Sequence, residues 1–560
     1  MNSFHIRLAA ALALLHFSLT AAQFKFATQT FTVPDGFEVE QIAGPPIVER
    51  PISASFDEQG RLYVTDSSGS NDKVEKQLAE KPHRVLRLEA ADAAGHFNKS
   101  AVFGEHIMFP EGCLWFEGSL YVSAPPSIWK LTDTDGDGLA DQRSEWHEGK
   151  TLTGCANDLH GPYLGLDGLI YWCKGAFAQQ SYDRPGRKPF ITRASHIFRA
   201  PADHSNLEPV LTAGMDNPVG VVFTLTGERF MCGTFLMNPE AGKRDGVVHA
   251  VYGGVYGKPN DVLDGHPKTG DLMPIMTHLG AAAPCSVIRY ESAAFGPEYH
   301  DNLFVCCFNL HKITRHQLQP DGATFKTIDT DFIVSDNTDF HPTDVIEDAD
   351  GSVIVVDTGG WYKLCCPTSQ LSKPDVLGAI YRIRRTGAAK IEDPRGTTIA
   401  WDKLDPARAA PLLADPRPVV RKRALAVFSK MGPAAAPGLR HALQTMDSPE
   451  ARANVVWALT RISSPSAREA VRSALSDNSE LVRHAAVSSI SVWRDAAAEQ
   501  TLLKFLTDPS AQIRRASAEA LGRIGDKSSV PALLNACAQP HDRFLEHSLT
   551  YALIEIDAPA

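Results

Sequence analysis

The feature that most limits what this chain can fold into is a six-fold recurrence between Pro51 and Arg385, in which a β-rich run makes a tight turn and comes back as a second run. Ile52–Phe56 turns at Gln59-Gly60 into Arg61–Thr65, and Phe109–Trp115 turns at Glu117-Gly118 into Ser119–Ser123. Leu159–Leu164 turns at Asp167-Gly168 into Leu169–Cys173, and Asn217–Thr224 turns at Thr226-Gly227 into Glu228–Cys232. Pro284–Arg289 leads through a longer turn into Asn302–Cys306, and His341–Ile346 turns at Asp350-Gly351 into Ser352–Val356. Glycine accepts the positive φ that a short hairpin turn demands, so each unit reads as a hairpin. A period of about 50–65 residues suits a four-stranded blade with long loops. No helical pattern interrupts the series, which predicts a closed, six-bladed, all-β propeller. The alternating run Phe31–Ile42 comes before the first blade, and a strand placed there completes the last blade and leaves no open edge.

From Ala388 to Trp401 the β pattern stops, and a period of about 31 residues begins at Asp415, Asp447, Asp477 and Asp508. An arginine follows three of these aspartates six residues later, at Arg421, Arg483 and Arg514, and each unit carries an Ala-rich amphipathic helix. Helix pairs at this length with an Asp–Arg ladder resemble HEAT repeats, an all-α solenoid. The last unit ends on the apolar set Leu549, Tyr551, Leu553 and Ile554 where a solenoid wants a polar cap, so a partner is expected to cover that end, unless the chain is a shortened form of a longer architecture. The expected order is a signal segment (1–22), the propeller (23–387), a linker (388–401) and HEAT repeats (402–560).

The signal segment is read from His5 and Arg7 ahead of the apolar run Leu8–Leu19, with Thr20-Ala21-Ala22 as small residues before a cleavage point. That run is well short of the roughly 20 residues a span needs, so the chain is expected to be exported to the periplasm or beyond, with no membrane span. A net charge of −11 argues against a nucleic-acid partner, which would need a basic face. Ten cysteines make disulfides possible in an exported chain. Cys232 and Cys306 fall on strand patterns as small buried groups; Cys155 and Cys173 flank one hairpin and could pair. The vicinal pairs Cys306-Cys307 and Cys365-Cys366 could bridge blades or bind a soft metal. There is no Cys-x-x-Cys-His, so no c-type haem is expected on this chain.

Two polar groupings point to chemistry. Asp133, Asp135, Asp137 and Asp141, with Gly138 at the turn, follow the start of a calcium-binding loop, which gathers hard oxygen ligands; the role expected is structural. The innermost strand of each blade begins at one face of the central channel, so polar residues there should converge. These are Asp158 and His160 in blade 3, Asp216 and Asn217 in blade 4, and His341 and Asp344 in blade 6. Imidazoles and carboxylates brought together in this way supply a general base or a metal site. Residues 238–282, a long Gly-rich stretch with Tyr252, Tyr256, His266 and His278, read as a lid or pocket wall.

Several stretches together resemble the membrane-bound dehydrogenase propeller domain of bacteria, a relative of the soluble quinoprotein glucose and aldose sugar dehydrogenases, with HEAT repeats attached. These are Asp133–Asp141, His160–Gly175, Asp216–Gly220 and the closing Tyr381-Arg-Ile-Arg384. The resemblance implies oxidation of a sugar or alcohol with pyrroloquinoline quinone and calcium, His160 as the base and Asp158 orienting it. Longer members of that family end in a c-type cytochrome, so it also implies a separate cytochrome as partner. The cations with which the dehydrogenases hold their tricarboxylate cofactor fall here at Asp216, near Asn309 and at Thr343. Lys174, Arg289 and Lys312 remain as candidates for that task. The alternative is a non-redox propeller that binds a metal or a carbohydrate, or hydrolyses the latter, with the solenoid as a protein-docking scaffold.

Overall fold

The computed structural model describes residues 21–90, 95–150, 159–184, 186, 188–237, 243–363 and 370–557. The described strands from Ala21–Lys25 to Ala379–Arg385 form the six-bladed propeller. Its inner strands are Pro51–Phe56, Gly112–Phe116, Leu159–Leu164, Pro218–Phe223, Pro284–Arg289 and Pro342–Glu347, each packed on the next, with the sixth returning to the first. Aligned on the turn that ends each strand, they place Ser53, Gly112, Gly161, Gly220, Ser286 and Asp344 at one level of the axis. Small residues are needed there because backbones meet: a Cβ on Gly112 would lie 2.2 Å from the Gly161 carbonyl oxygen.

The ring closes as expected, with one refinement. The N-terminal run is two strands hinged at Asp35-Gly36, where Gly36 has φ 82°. Thr30–Pro34 extends blade 5, and Phe37–Ala43 pairs with Ala379–Arg385 to complete blade 6. The described part of 238–282, residues 243–282, contributes strands to the blades. It holds strands Asp245–His249 and Thr277–Gly280 of blade 4, and both Tyr252 and Tyr256 are buried. Phenylalanine and tyrosine layers fill the spaces between blades, as where Phe31, Phe340 and Tyr381 meet edge to face.

Five helix pairs follow the propeller. The second helices of the pairs, Pro418–Met431, Pro449–Thr460, Glu480–Trp493, Ala511–Ile524 and Arg543–Asp557, form a layer that touches the propeller. The Asp–Arg ladder has a local cause. Arg421, Arg483 and Arg514 donate to the backbone carbonyls of Asp415, Asp477 and Asp508, while those carboxylates accept the N–H two residues on. In the second repeat Arg452, one residue early, does the same to Asp447 O at 2.8 Å.

The solenoid lies across the face where the inner strands end. Trp457 Nε1 donates to Leu225 O at 2.8 Å, Arg461 to Gly165 O and Leu166 O at 3.0 and 2.9 Å, and Ser488 Oγ to Thr226 O at 2.7 Å. Linker residue Arg395 pairs with Asp348 and covers the Phe56 ring. The apolar end of the last helix meets the propeller itself: Leu549 is buried, and the Tyr551 ring sits on Gly253 and against Tyr252.

Two buried carboxylates anchor this seam. Glu208 takes Arg199, Arg523 and Arg494 at 2.6, 2.7 and 3.1 Å. Glu228 takes Arg515 and has His249 Nε2 and His484 Nε2 each at 2.8 Å. Burial alone would raise both carboxyls, yet the surrounding cations hold them well below the usual carboxylate range. Among the described residues, no helix is long and apolar enough to cross a membrane.

Candidate active site at the open face

The solenoid covers the strand-end face, and the polar residues that begin the inner strands lie at the opposite, open face. One level above the axial ring lie Ile52, Glu111, His160, Val219, Cys285 and Thr343. Glu111 and His160 are the carboxylate and the imidazole of this level, and they belong to adjacent blades. Close approach at Gly112 and Gly161 brings them together: Glu111 Oε2 lies 4.0 Å from His160 Nδ1, with side chains 4% and 16% exposed. His160 Nε2 is buried and has no hydrogen-bond partner among the described residues. An orphaned buried group of this kind costs about 1–3 kcal/mol, which a donating hydroxyl recovers. Burial pushes the imidazole down to about 4, so it is neutral and able to accept a proton at pH 7. Asp158, expected to orient it, lies outside the described residues.

Asp344 is on the axis, but its valences are spent. Oδ1 accepts Ser286 Oγ at 2.7 Å and Oδ2 accepts Ser53 Oγ at 2.8 Å and the Ala54 N–H at 3.0 Å. It joins blades 5, 6 and 1, and burial raises its carboxyl. His341 sits at the start of its strand with Nδ1 2.7 Å from Gly359 O and its ring 4.4 Å from that of Phe308. Asp216 faces Lys258 at 3.4 Å, and burial outweighs that lysine to raise its carboxyl. Asn217 Oδ1 is buried without a partner among the described residues. Asp216, Asn217 and His341 thus share the open face with His160, but among the described residues no hydrogen bond or ion pair joins one of them to another.

The structure places one candidate cation at the other face and buries a second. Arg289 ends its inner strand rather than beginning it, so it lies at the covered face, where it pairs with Asp301 and with Glu291 at 2.5 Å. Lys174 is 1% exposed, donates to Ala194 O at 3.2 Å, and is pushed by burial down to about 7. Of the remaining cations near the open face, Lys312 is on Asp331 at 2.8 Å, Arg244 on Asp245 at 2.7 Å and Arg193 on Asp261 at 3.0 Å. A tricarboxylate quinone needs cations that are free or exchangeable, and this donor set does not fit it.

Asp133, Asp135 and Asp141 present carboxylate oxygens within 4.8 Å of one another, on the hairpin between the third and fourth strands of blade 2. Asp137 stands outside this group; its Oδ1 accepts the Leu139 N–H at 2.7 Å. The hairpin is at the covered face and therefore apart from His160. Cys173, Cys306 and Cys307 are free thiols, and no trio of metal-ligating atoms among the described residues includes a sulfur. Cys155 and the pair Cys365-Cys366 lie outside the described residues.

Glu111 carries no motif in the sequence. Lining up the inner strands residue by residue would have found it, as the one carboxylate at the level of His160 in a neighbouring blade.

Among solved structures the chain is similar to an oxidoreductase described as a glucose dehydrogenase from Thermus thermophilus, at 16% identity and TM-score 0.42, covering 62% of this chain and 100% of that one. It is similar to the PQQ-bound aldose sugar dehydrogenase of Streptomyces coelicolor at 12% identity and TM-score 0.43, covering 63% and 100%. A calcium-bound carbohydrate-active enzyme of family AA12 from Trichoderma reesei matches at 14% identity and TM-score 0.45, covering 65% and 98%. No curated protein matches the chain. Models of HEAT repeats match residues 406–491 and 468–554. The family model described as "Domain of unknown function (DUF7133)" matches residues 23–386, and the chain belongs to that family.

Proposed function

We propose that the chain is an exported oxidoreductase acting on a sugar or alcohol, with its site at the open face of the propeller. His160 accepts the proton of a substrate hydroxyl through Nε2. One observation carries the reading: a neutral imidazole at the channel mouth has a buried ring nitrogen that no described protein group satisfies. Oxidation of the carbinol carbon also removes its hydrogen as hydride, which requires a two-electron acceptor. Lys312, Arg244 and Arg193 near the mouth are paired, so we take that acceptor to lie outside the chain, as a diffusible quinone-class compound or a protein carrier. The same pairing favours a second reading, in which the mouth binds or hydrolyses a carbohydrate without redox chemistry. Calcium, if bound, belongs to Asp133, Asp135 and Asp141, where it would brace the hairpin.

Dye-linked reduction by the purified mature chain, with a panel of aldoses and alcohols and with or without added quinone and calcium, tests the reading. Substrate-dependent reduction that disappears in His160→Ala is expected. Sugar binding by calorimetry without any reduction would favour the second reading, and neither binding nor reduction would sink both. Mass measurement of the mature N-terminus tests export, with cleavage after Ala22 expected.

A further inference from the structure

We infer that Glu111 is the positioning residue of His160: its carboxylate receives the Nδ1–H and so holds the imidazole in the tautomer whose Nε2 lone pair faces the incoming hydroxyl. The inference rests on the reading of His160 as the proton acceptor. The sequence offers Asp158, two residues away on the same strand, for this part; the structure brings a carboxylate from the neighbouring blade.

Three observations support it. Glu111 is the one charged group, among the described residues, within ion-pair reach of the His160 ring, and the approach is to Nδ1 rather than Nε2. The approach is built into the backbone. The glycines that follow the two residues, Gly112 and Gly161, lie so close that a Cβ on the first would meet the carbonyl oxygen of the second, so the two side chains leave their strands side by side. Finally, the Glu111 side chain is almost completely covered, and a buried carboxylate next to an imidazole nitrogen takes its proton as a charge-assisted hydrogen bond. A separation of 4.0 Å is looser than such a bond, as is common before substrate arrives, and a small rotation of either side chain closes it. The division of labour is then base, orienter and substrate, with Nε2 accepting the hydroxyl proton and Glu111 stabilising the imidazolium that results.

Nitrogen-15 spectra of histidine-labelled full-length protein test this without any substrate, the His160 signals being assigned from the His160→Gln variant. The wild-type ring is expected to carry its proton on Nδ1. Glu111→Gln, which keeps an acceptor oxygen, should retain that tautomer. Glu111→Met, of similar length and without an acceptor, should lose it, with Glu111→Ala as the second variant if the first does not fold. An Nε2–H ring in the wild type, or a tautomer unchanged in the Met and Ala variants, would overturn the assignment. In the dye-linked assay Glu111→Met should lower kcat about tenfold to a hundredfold with KM little changed, less than the 10²- to 10⁴-fold that the base itself contributes. Protein that reduces no dye yet shows the tautomer change loses the oxidoreductase reading and keeps Glu111. Turnover that depends on His160 but ignores Glu111 does the reverse.

Discussion

The two faces of the propeller treat buried charge in opposite ways. At the covered face Glu228 is surrounded by Arg515, His249 and His484, and Glu208 by three arginines, with distances of 2.6 to 3.1 Å for the pairs around Glu208. At the open face Glu111 and His160 stand 4.0 Å apart, and the far nitrogen of the ring has no bonding partner among the described residues. Multiple ion pairs on single carboxylates make the first face a joint between two domains. Incompleteness makes the second a place where a ligand gains by arriving. A polar cluster is therefore better judged by what it leaves unsatisfied than by how many ionisable groups it holds.

The largest effect should come from breaking the densely paired side. Glu228→Ala strands Arg515 and two histidines in the seam and is expected to cost about 3–5 kcal/mol in chemical unfolding. A loss below about 1 kcal/mol would mean that the seam is not the joint described. His160→Ala should do the opposite: stability changes little, since only a poorly satisfied ring is removed, while turnover falls by about 10²- to 10⁴-fold. Gly112→Ala sharpens the comparison because it acts on geometry alone. The added methyl meets backbone 2.2 Å away, so a loss of about 1–3 kcal/mol and a weakened Glu111–His160 contact are expected.

Acid should separate the faces further. Burial lowers His160 from 6.5 to about 4, so between those values the unfolded chain binds a proton that the folded chain refuses. Stability from this residue is therefore whole above pH 6.5 and is lost as pH falls towards 4, at up to about 1.4 kcal/mol per pH unit. Asp357 and Glu347, both raised to about 7 by burial, work in the opposite sense, gaining stability as pH falls. The difference between wild type and His160→Gln, followed from about pH 7 to about pH 5, cancels those terms. A difference that stays constant would show that the ring is not held neutral. The smallest effect is expected from calcium: at tenfold excess over its dissociation constant, binding to Asp133, Asp135 and Asp141 adds about 1.4 kcal/mol. Asp133→Asn should abolish that gain, and its persistence would move the ion elsewhere.

The architecture was legible in the sequence because each element is announced locally. Gly60, Gly118, Gly168, Gly227 and Gly351 all have φ between 78° and 92°, so turn chemistry alone marks five of the six hairpins. The HEAT period is equally local, since each arginine reaches a carbonyl five or six residues back. The seam left no such mark: Glu228 and Arg515 are 287 residues apart, and neither sits in a recognisable pattern. Nor could the sequence tell that Arg289 ends a strand at the covered face while His160 begins one at the open face. That requires the direction of each strand along the axis, and a one-end error carries a side chain the full depth of the propeller. Asp344 was legible as an axial residue, yet its two serine partners belong to other blades, so its structural role could not be read.

The pairing of Phe37–Ala43 with Ala379–Arg385 has a bearing on how the molecule is made. Phe37–Ala43 has to wait for nearly the whole propeller to be synthesised before its neighbour exists. Until then blade 6 has no outer edge partner and the ring stays ajar, with adhesive strand margins exposed at both ends. Closure therefore joins the two sequence extremes of the ring, and it removes the last open strand margin of the propeller.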